Sequence, residues 1–208
     1  MFISTAVATS VFQPWGRWQE WLYRHWGAAV LSIFGARVRV RGAENLEPGQ
    51  HYIVVSNHLS LVDTPVMVRH LPMPVKFLAK RELLKAPFIG WYISRAGHLT
   101  VDRASLRSSI ASMNECARLV REKRLSVMIF AEGTRSPNGE MQRFKDGAAY
   151  LAIQSGVPLA PVALVGTWDV LPAKSSQVVA LPRGRRGGPH RRAGEPGGLH
   201  PEAARRAH

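Results

Sequence analysis

Acidic side chains are scarce in this chain. Fourteen aspartates and glutamates stand against 28 lysines and arginines over 208 residues, a net charge of +14 with histidine neutral. An excess of that size draws a protein to polyanions: nucleic acid, anionic lipid or a phosphorylated ligand. Cysteine is nearly absent. The single Cys116 excludes an internal disulfide framework and is compatible with a reducing compartment. Long apolar runs are also missing, since the stretch from Trp26 to Phe34 falls well short of the roughly 20 residues that span a bilayer. Residues 1–12, MFISTAVATSVF, are apolar but lack a basic flank, so a cleaved signal peptide is not expected. There is no internal repeat. With 46% hydrophobic and 20% charged residues, the chain suits one folded domain with a substantial core.

The positive charge is uneven. Residues 181–208 hold seven arginines against two glutamates, a net +5, while the preceding 180 residues carry 21 basic and 12 acidic side chains, a net +9. That tail has six glycines and four prolines and only two leucines as large apolar residues. It cannot bury enough apolar surface to offset its ordering entropy and is expected to be disordered. Its bias towards arginine, glycine, proline and alanine also suggests the hypothesis of a frameshift in a GC-rich gene. Sequencing the gene tests this, and an intact frame with a normal stop rejects it.

At the other end, Trp18, Trp21, Leu22 and Trp26 share approximately one helical face, with Arg17, Arg24 and His25 interleaved. Tryptophan and arginine together suit the headgroup layer of a membrane. The competing reading is a helix packed on the core. The expected organisation is therefore an interfacial helical segment over 1–35, a folded domain over 36–180 and a basic tail over 181–208.

From Ala36 onward the pattern is α/β. Ala36–Arg41 alternates like a strand, and Tyr52–Ser56, Val75–Ala79, Leu99–Val101, Ser126–Phe130 and Leu159–Leu164 are short apolar runs of strand length. Leu106, Ile110, Met113, Ala117 and Val120 form the stripe of an amphipathic helix, and a second helix is expected from Phe144 to Gln154, ending near Gly156. Strands alternating with helices imply a largely parallel central sheet covered on both faces.

The chemistry-bearing residues cluster at strand-to-helix junctions, where such sheets bind ligands. After Tyr52–Ser56 the chain reads Asn57-His58-Leu59-Ser60-Leu61-Val62-Asp63. Ser60 and Asp63 resemble a capping pair opening a helix, with Asp in place of the usual Glu. His58 then lies just before the helix and Asp63 in its first turn, from where a carboxylate can fix the imidazole tautomer and leave the other nitrogen as a base. Taken alone, His-x4-Asp fits equally a histidine bonded for structure at a strand end. After Ser126–Phe130 comes Ala131-Glu132-Gly133-Thr134-Arg135-Ser136. Here glycine permits close approach of a ligand, arginine can fork onto a phosphate and Glu132 can orient Arg135. The bland reading is a polar turn running into Ser136-Pro137-Asn138-Gly139. Two further segments, Gly97–Arg103 and Val157–Val162, complete the set.

In this order, the four blocks resemble those of the glycerolipid acyltransferase family, most closely its bacterial 1-acyl-glycerol-3-phosphate branch. The resemblance covers about residues 35–175, with Ala131 standing where the family commonly has proline. It implies His58 as general base with Asp63 as its support. It also implies Arg103, Glu132, Gly133, Thr134 and Arg135 as the binding site for an acceptor phosphate, with Asn57, Lys80, Arg81 and Pro158 in supporting roles. The implied reaction moves an acyl group from acyl-CoA or acyl-carrier protein to a lysophospholipid hydroxyl, giving phosphatidic acid. No metal or cofactor is expected. The expected location is the cytoplasmic face of the cell membrane, held peripherally or monotopically on its anionic surface. A lyso-ornithine lipid or another lysolipid is the alternative acceptor. A basic nucleic-acid-binding protein is the distant alternative, and the tail has neither interleaved aromatics nor a binding motif to support it.

Overall fold

The structure is a computed structural model, and it describes residues 17–172. The expectations for the N-terminal 16 residues and for the basic tail lie outside the described residues.

Five parallel strands form one sheet: β1 (Ile53–Ser56), β2 (Val75–Lys80), β3 (Leu99–Val101), β4 (Ser126–Phe130) and β5 (Leu159–Val162), in the order β3-β2-β4-β1-β5. The helices are α1 (Arg17–Ile33), which precedes β1, α2 (Asp63–His70), α3 (Ile89–Arg95), α4 (Leu106–Lys123) and α5 (Gly147–Ser155), which lie between strands, and α6 (Thr167–Val170), which follows β5. The interior strands β4 and β1 are the most buried, because each face of a parallel sheet must be covered. Val54 and Met128 point into one core with Leu31, Val66, Met67 and Leu71. Ile53, Val127 and Ile129 point into the other with Met113, Ala117, Val120 and Leu151. The period-2 alternation of the strands thus separates two hydrophobic layers.

β1 and β4 are neighbours in register, Ser56 opposite Phe130. The loops that leave their carboxyl ends therefore emerge side by side. This is where the strand order reverses, the usual ligand crevice of an open parallel sheet.

Several expectations need correction. Ala36–Arg41 belongs to no strand among the described residues, although Ala36 and Val38 pack on the core. Alternation reports which side chains are covered, not whether a neighbouring strand supplies a hydrogen-bond ladder. Of the α4 stripe, Met113, Ala117 and Val120 are buried. Leu106 is 78% exposed and Ile110 is also exposed, in the first turns that follow the capping box at Ser105 and Ser108. α5 starts at Gly147 rather than Phe144 and is closed by Gly156 at φ 70°. β5 stops at Val162, two residues early, and β2 runs one residue further, to Lys80. α3, the 3-10 turn Arg81–Lys85 and α6 are too short for periodicity to reveal.

Candidate active site

His58 sits in the loop after β1, and its surroundings hold both its backbone and its ring. Its ring Nδ1 lies 2.8 Å from Asp63 Oδ2. The same oxygen accepts the backbone N–H groups of Leu59 and Ser60, each at 2.7 Å, and the Asp63 side chain is fully buried. This inverts the expected capping pair. Ser60 does not cap α2; Asp63, its first residue, reaches back to gather the loop amides, and the Ser60 hydroxyl accepts from Val62 N while donating to the Leu171 carbonyl. A helix starting at Asp63 puts that carboxylate where loop N–H groups and the first-turn dipole both stabilise negative charge.

The bonding also sets the tautomer. An ionised carboxylate only accepts, so Nδ1 carries the hydrogen and Nε2 is the free basic nitrogen. The imidazole stacks on the Phe130 ring, centroids 3.8 Å apart and planes 10° from parallel, and its side chain is 17% exposed. The carboxylate and the phenyl ring therefore fix its orientation from two sides.

Glu132 contributes differently from expectation. It makes no ion pair with Arg135. It is buried, and its Oε1 accepts the His58 backbone N–H at 3.0 Å. Ser136 N donates to the His58 carbonyl at 2.9 Å, so the β4 loop clamps both ends of the His58 peptide. Ser136 Oγ in turn accepts from Asn138 N and Gly139 N and closes the Ser-Pro-Asn-Gly turn. Asn57 fastens the other flank. Its side chain donates to the Leu164 carbonyl at 2.9 Å and accepts from Leu164 N at 2.8 Å, tying the His58 loop to the segment after β5.

The cationic part centres on Gly133, at φ 73°. The Arg103 Nη1 donates to the Gly133 carbonyl at 3.2 Å. A Cβ on Gly133 would lie 3.0 Å from Lys145 Nζ and 3.3 Å from Arg103 Nη1. The glycine therefore serves two purposes: it takes a left-handed conformation and leaves room for two cations. Thr134 is exposed and Arg135 half-buried, one residue from the Ser136 amide that holds His58. Lys145 was not legible as a site residue. It carries no motif and arrives only because its backbone N–H bonds the Ala131 carbonyl at 2.9 Å.

The remaining expected residues lie further out. Lys80 pairs with Glu82 at 3.5 Å on the exposed end of β2. Arg81 pairs with Asp102 at 3.2 Å, next to Arg103. The Ala104 amide and then Arg81 hold the Asp102 carboxyl below its usual range. Pro158 stands at the amino end of β5, away from the crevice, where its carbonyl accepts from Ile53 N. It supports the sheet, not the site. Among the described residues, no cluster of three histidine, cysteine or acidic side chains is placed to hold a metal.

The protein-family description "Acyltransferase" matches residues 37–165. A 1-acyl-sn-glycerol-3-phosphate acyltransferase of Limnanthes douglasii is 36% identical over 147 residues, 70% of this chain and 52% of that protein. The human 1-acyl-sn-glycerol-3-phosphate acyltransferase alpha is 42% identical over 140 residues, 67% of this chain and 50% of the relative. The chain thus spans about half the length of the curated relatives it matches. The crystal structure of the 1-acyl-sn-glycerophosphate acyltransferase PlsC from Thermotoga maritima superposes with a TM-score of 0.65 at 28% identity, over 83% of this chain and 70% of that one.

Proposed function

The chain belongs to the Acyltransferase family, and from that membership we propose that it transfers a fatty acyl group to the free hydroxyl of 1-acyl-glycerol-3-phosphate. The product is phosphatidic acid. The observation that carries the proposal is the His58–Asp63 pair at 2.8 Å beside the Arg103–Gly133–Lys145 cluster. It is a base with a free Nε2 next to a cradle for a phosphate.

The hydroxyl gives its proton to His58 Nε2 as its oxygen bonds to the thioester carbon of acyl-CoA or acyl-carrier protein. The buried Asp63 carboxylate stabilises the imidazolium that forms. The C–S bond then breaks, and the imidazolium returns the proton to the departing thiolate. The acceptor oxygen is itself the nucleophile, so no acyl-enzyme and no metal or cofactor is required. Arg103 and Lys145 hold the acceptor phosphate, and Arg135 approaches from the same loop. They supply the charge that separates this acceptor from a neutral lysolipid.

Attachment at the cytoplasmic face of the membrane belongs to the same proposal. No helix among the described residues is long and apolar enough to cross a membrane, while Trp18 and Trp21 on α1 are 66% and 48% exposed. These rings suit a headgroup layer.

The test offers one labelled acyl thioester to lysophosphatidic acid and to lyso-ornithine lipid in parallel. Preference for the phosphate-bearing acceptor is expected, and His58→Ala should abolish turnover while the thermal transition persists. A His58→Ala protein with a near-normal rate removes the catalytic assignment.

A further inference from the structure

The turn Arg81–Lys85 and α3 carry an apolar cluster that acyl transfer leaves unused. Leu83, Leu84, Phe88, Ile89 and Trp91 are all exposed, Phe88 at 78%. The chain displays them rigidly. Gly90 packs so closely on the turn that a Cβ there would stand 2.0 Å from the Leu84 carbonyl oxygen, and Gly90 N donates to Ala86 O at 2.9 Å. Phe88 lies between them at φ 62° and ψ −44°, a conformation that L side chains rarely accept. Strain that holds a phenyl ring out into water has no benefit in a face meant for water. Around the cluster, residues 80–95 contribute Lys80, Arg81, Lys85 and Arg95 against one acid, Glu82. Apolar tips ringed by cations complement an anionic lipid surface.

Two connections link this surface to the rest of the enzyme. The Tyr92 hydroxyl donates to that of Tyr23, joining α3 to α1 with its exposed tryptophans. Arg81 pairs with Asp102, the residue before Arg103, whose guanidinium caps the Gly133 carbonyl.

We propose that Leu83–Trp91 is a membrane-docking element, additional to α1, that seats in the headgroup layer of an anionic bilayer and holds the Arg103–Lys145 cluster level with the lipid phosphates. This rests on the lysolipid acyltransferase reading and extends it to the way the acceptor is reached. Docking lets the substrate phosphate slide laterally into the cationic cluster without leaving the bilayer.

The experiment uses the full chain, with Phe88→Gly, which removes the ring and relieves the positive φ, and with Lys85→Glu. Partition is measured by co-sedimentation with vesicles of phosphatidylcholine, with and without phosphatidylglycerol. Turnover is measured separately on a short-chain, monomeric lysophosphatidate. Phe88→Gly should bind anionic vesicles about tenfold more weakly. Lys85→Glu should lose binding chiefly where phosphatidylglycerol is present. Both should keep the thermal transition and the rate on the monomeric acceptor. Unchanged partition in both variants overturns the proposal. If partition is unchanged while the rate with acyl-carrier protein as donor falls, the surface is instead a dock for that acidic protein. Failure of the wild-type chain to acylate the monomeric acceptor, with vesicle binding still sensitive to Phe88, would sink the enzymatic reading alone.

Discussion

Replacing Asp63 by asparagine tests the catalytic geometry most sharply, because the surroundings dictate how the new side chain must sit. Three donors converge on Asp63 Oδ2: His58 Nδ1 at 2.8 Å and the amides of Leu59 and Ser60 at 2.7 Å. The two backbone N–H groups cannot reverse, so the asparagine oxygen must take that position and its NH2 must take the place of Oδ1, which has no partner. The histidine tautomer therefore survives, and the substitution removes only the charge. A unit charge about 4 Å from the imidazolium contributes roughly 4 kcal/mol at an effective dielectric constant near 20. That is about a thousandfold in kcat, at about 1.4 kcal/mol per decade. Stability should fall by about 1–3 kcal/mol, from weaker bonds to the loop amides and an unsatisfied buried NH2. The assay follows thiol release with saturating acyl thioester and lysophosphatidate, with circular dichroism confirming the fold. KM for both substrates should change little. A folded Asp63→Asn enzyme retaining more than a tenth of the rate would refute the view that this carboxylate stabilises a charge on His58.

Gly133→Ala should raise KM for a phosphate-bearing acceptor by about tenfold or more and leave a neutral acceptor largely unaffected, since the new methyl sits 3.0 Å from Lys145 Nζ at a φ of 73°. Parallel KM measurements on the two acceptors check it. Glu132→Ala should lower stability by about 2–4 kcal/mol by stranding the His58 amide and opening a cavity, and should lower kcat without raising acceptor KM. A selective rise in KM would restore Glu132 to the phosphate site. Burial pushes the His98 imidazole down to about 3, with Lys76 adding to the effect. The folded protein thus resists a proton that the unfolded chain takes up near 6.5. Stability should be intact above about pH 6.5 and decline progressively as pH falls towards 3. His98→Asn, which can still accept from Phe77 N, should flatten that decline in thermal melts across the range.

Much of the fold was legible in the amino-acid order because burial has a period. Ile53–Ser56 and Ser126–Phe130 are short apolar runs flanked by polar turns, and Met113, Ala117 and Val120 repeat at helical spacing. Local alternation failed at Ala36–Arg41, since strand membership depends on a neighbour that the segment itself does not encode. His58 and Asp63 were legible as a pair because they are five residues apart, and a loop entering a helix can close that gap.

Residue order alone set the alternation of strand and helix, put Asp63 within reach of His58 and supplied the excess of cations. Tertiary structure alone decided how these were used. Placing β4 beside β1 brought Glu132 and Ser136 onto the His58 peptide from 74 and 78 residues away. The fold-back of the loop after β4, pinned by Lys145 N on the Ala131 carbonyl, delivered Lys145 to Gly133. A carboxylate's role depends on which donors reach it first. For Glu132 those donors belong to a neighbouring strand's loop, and no spacing along the chain could have named them.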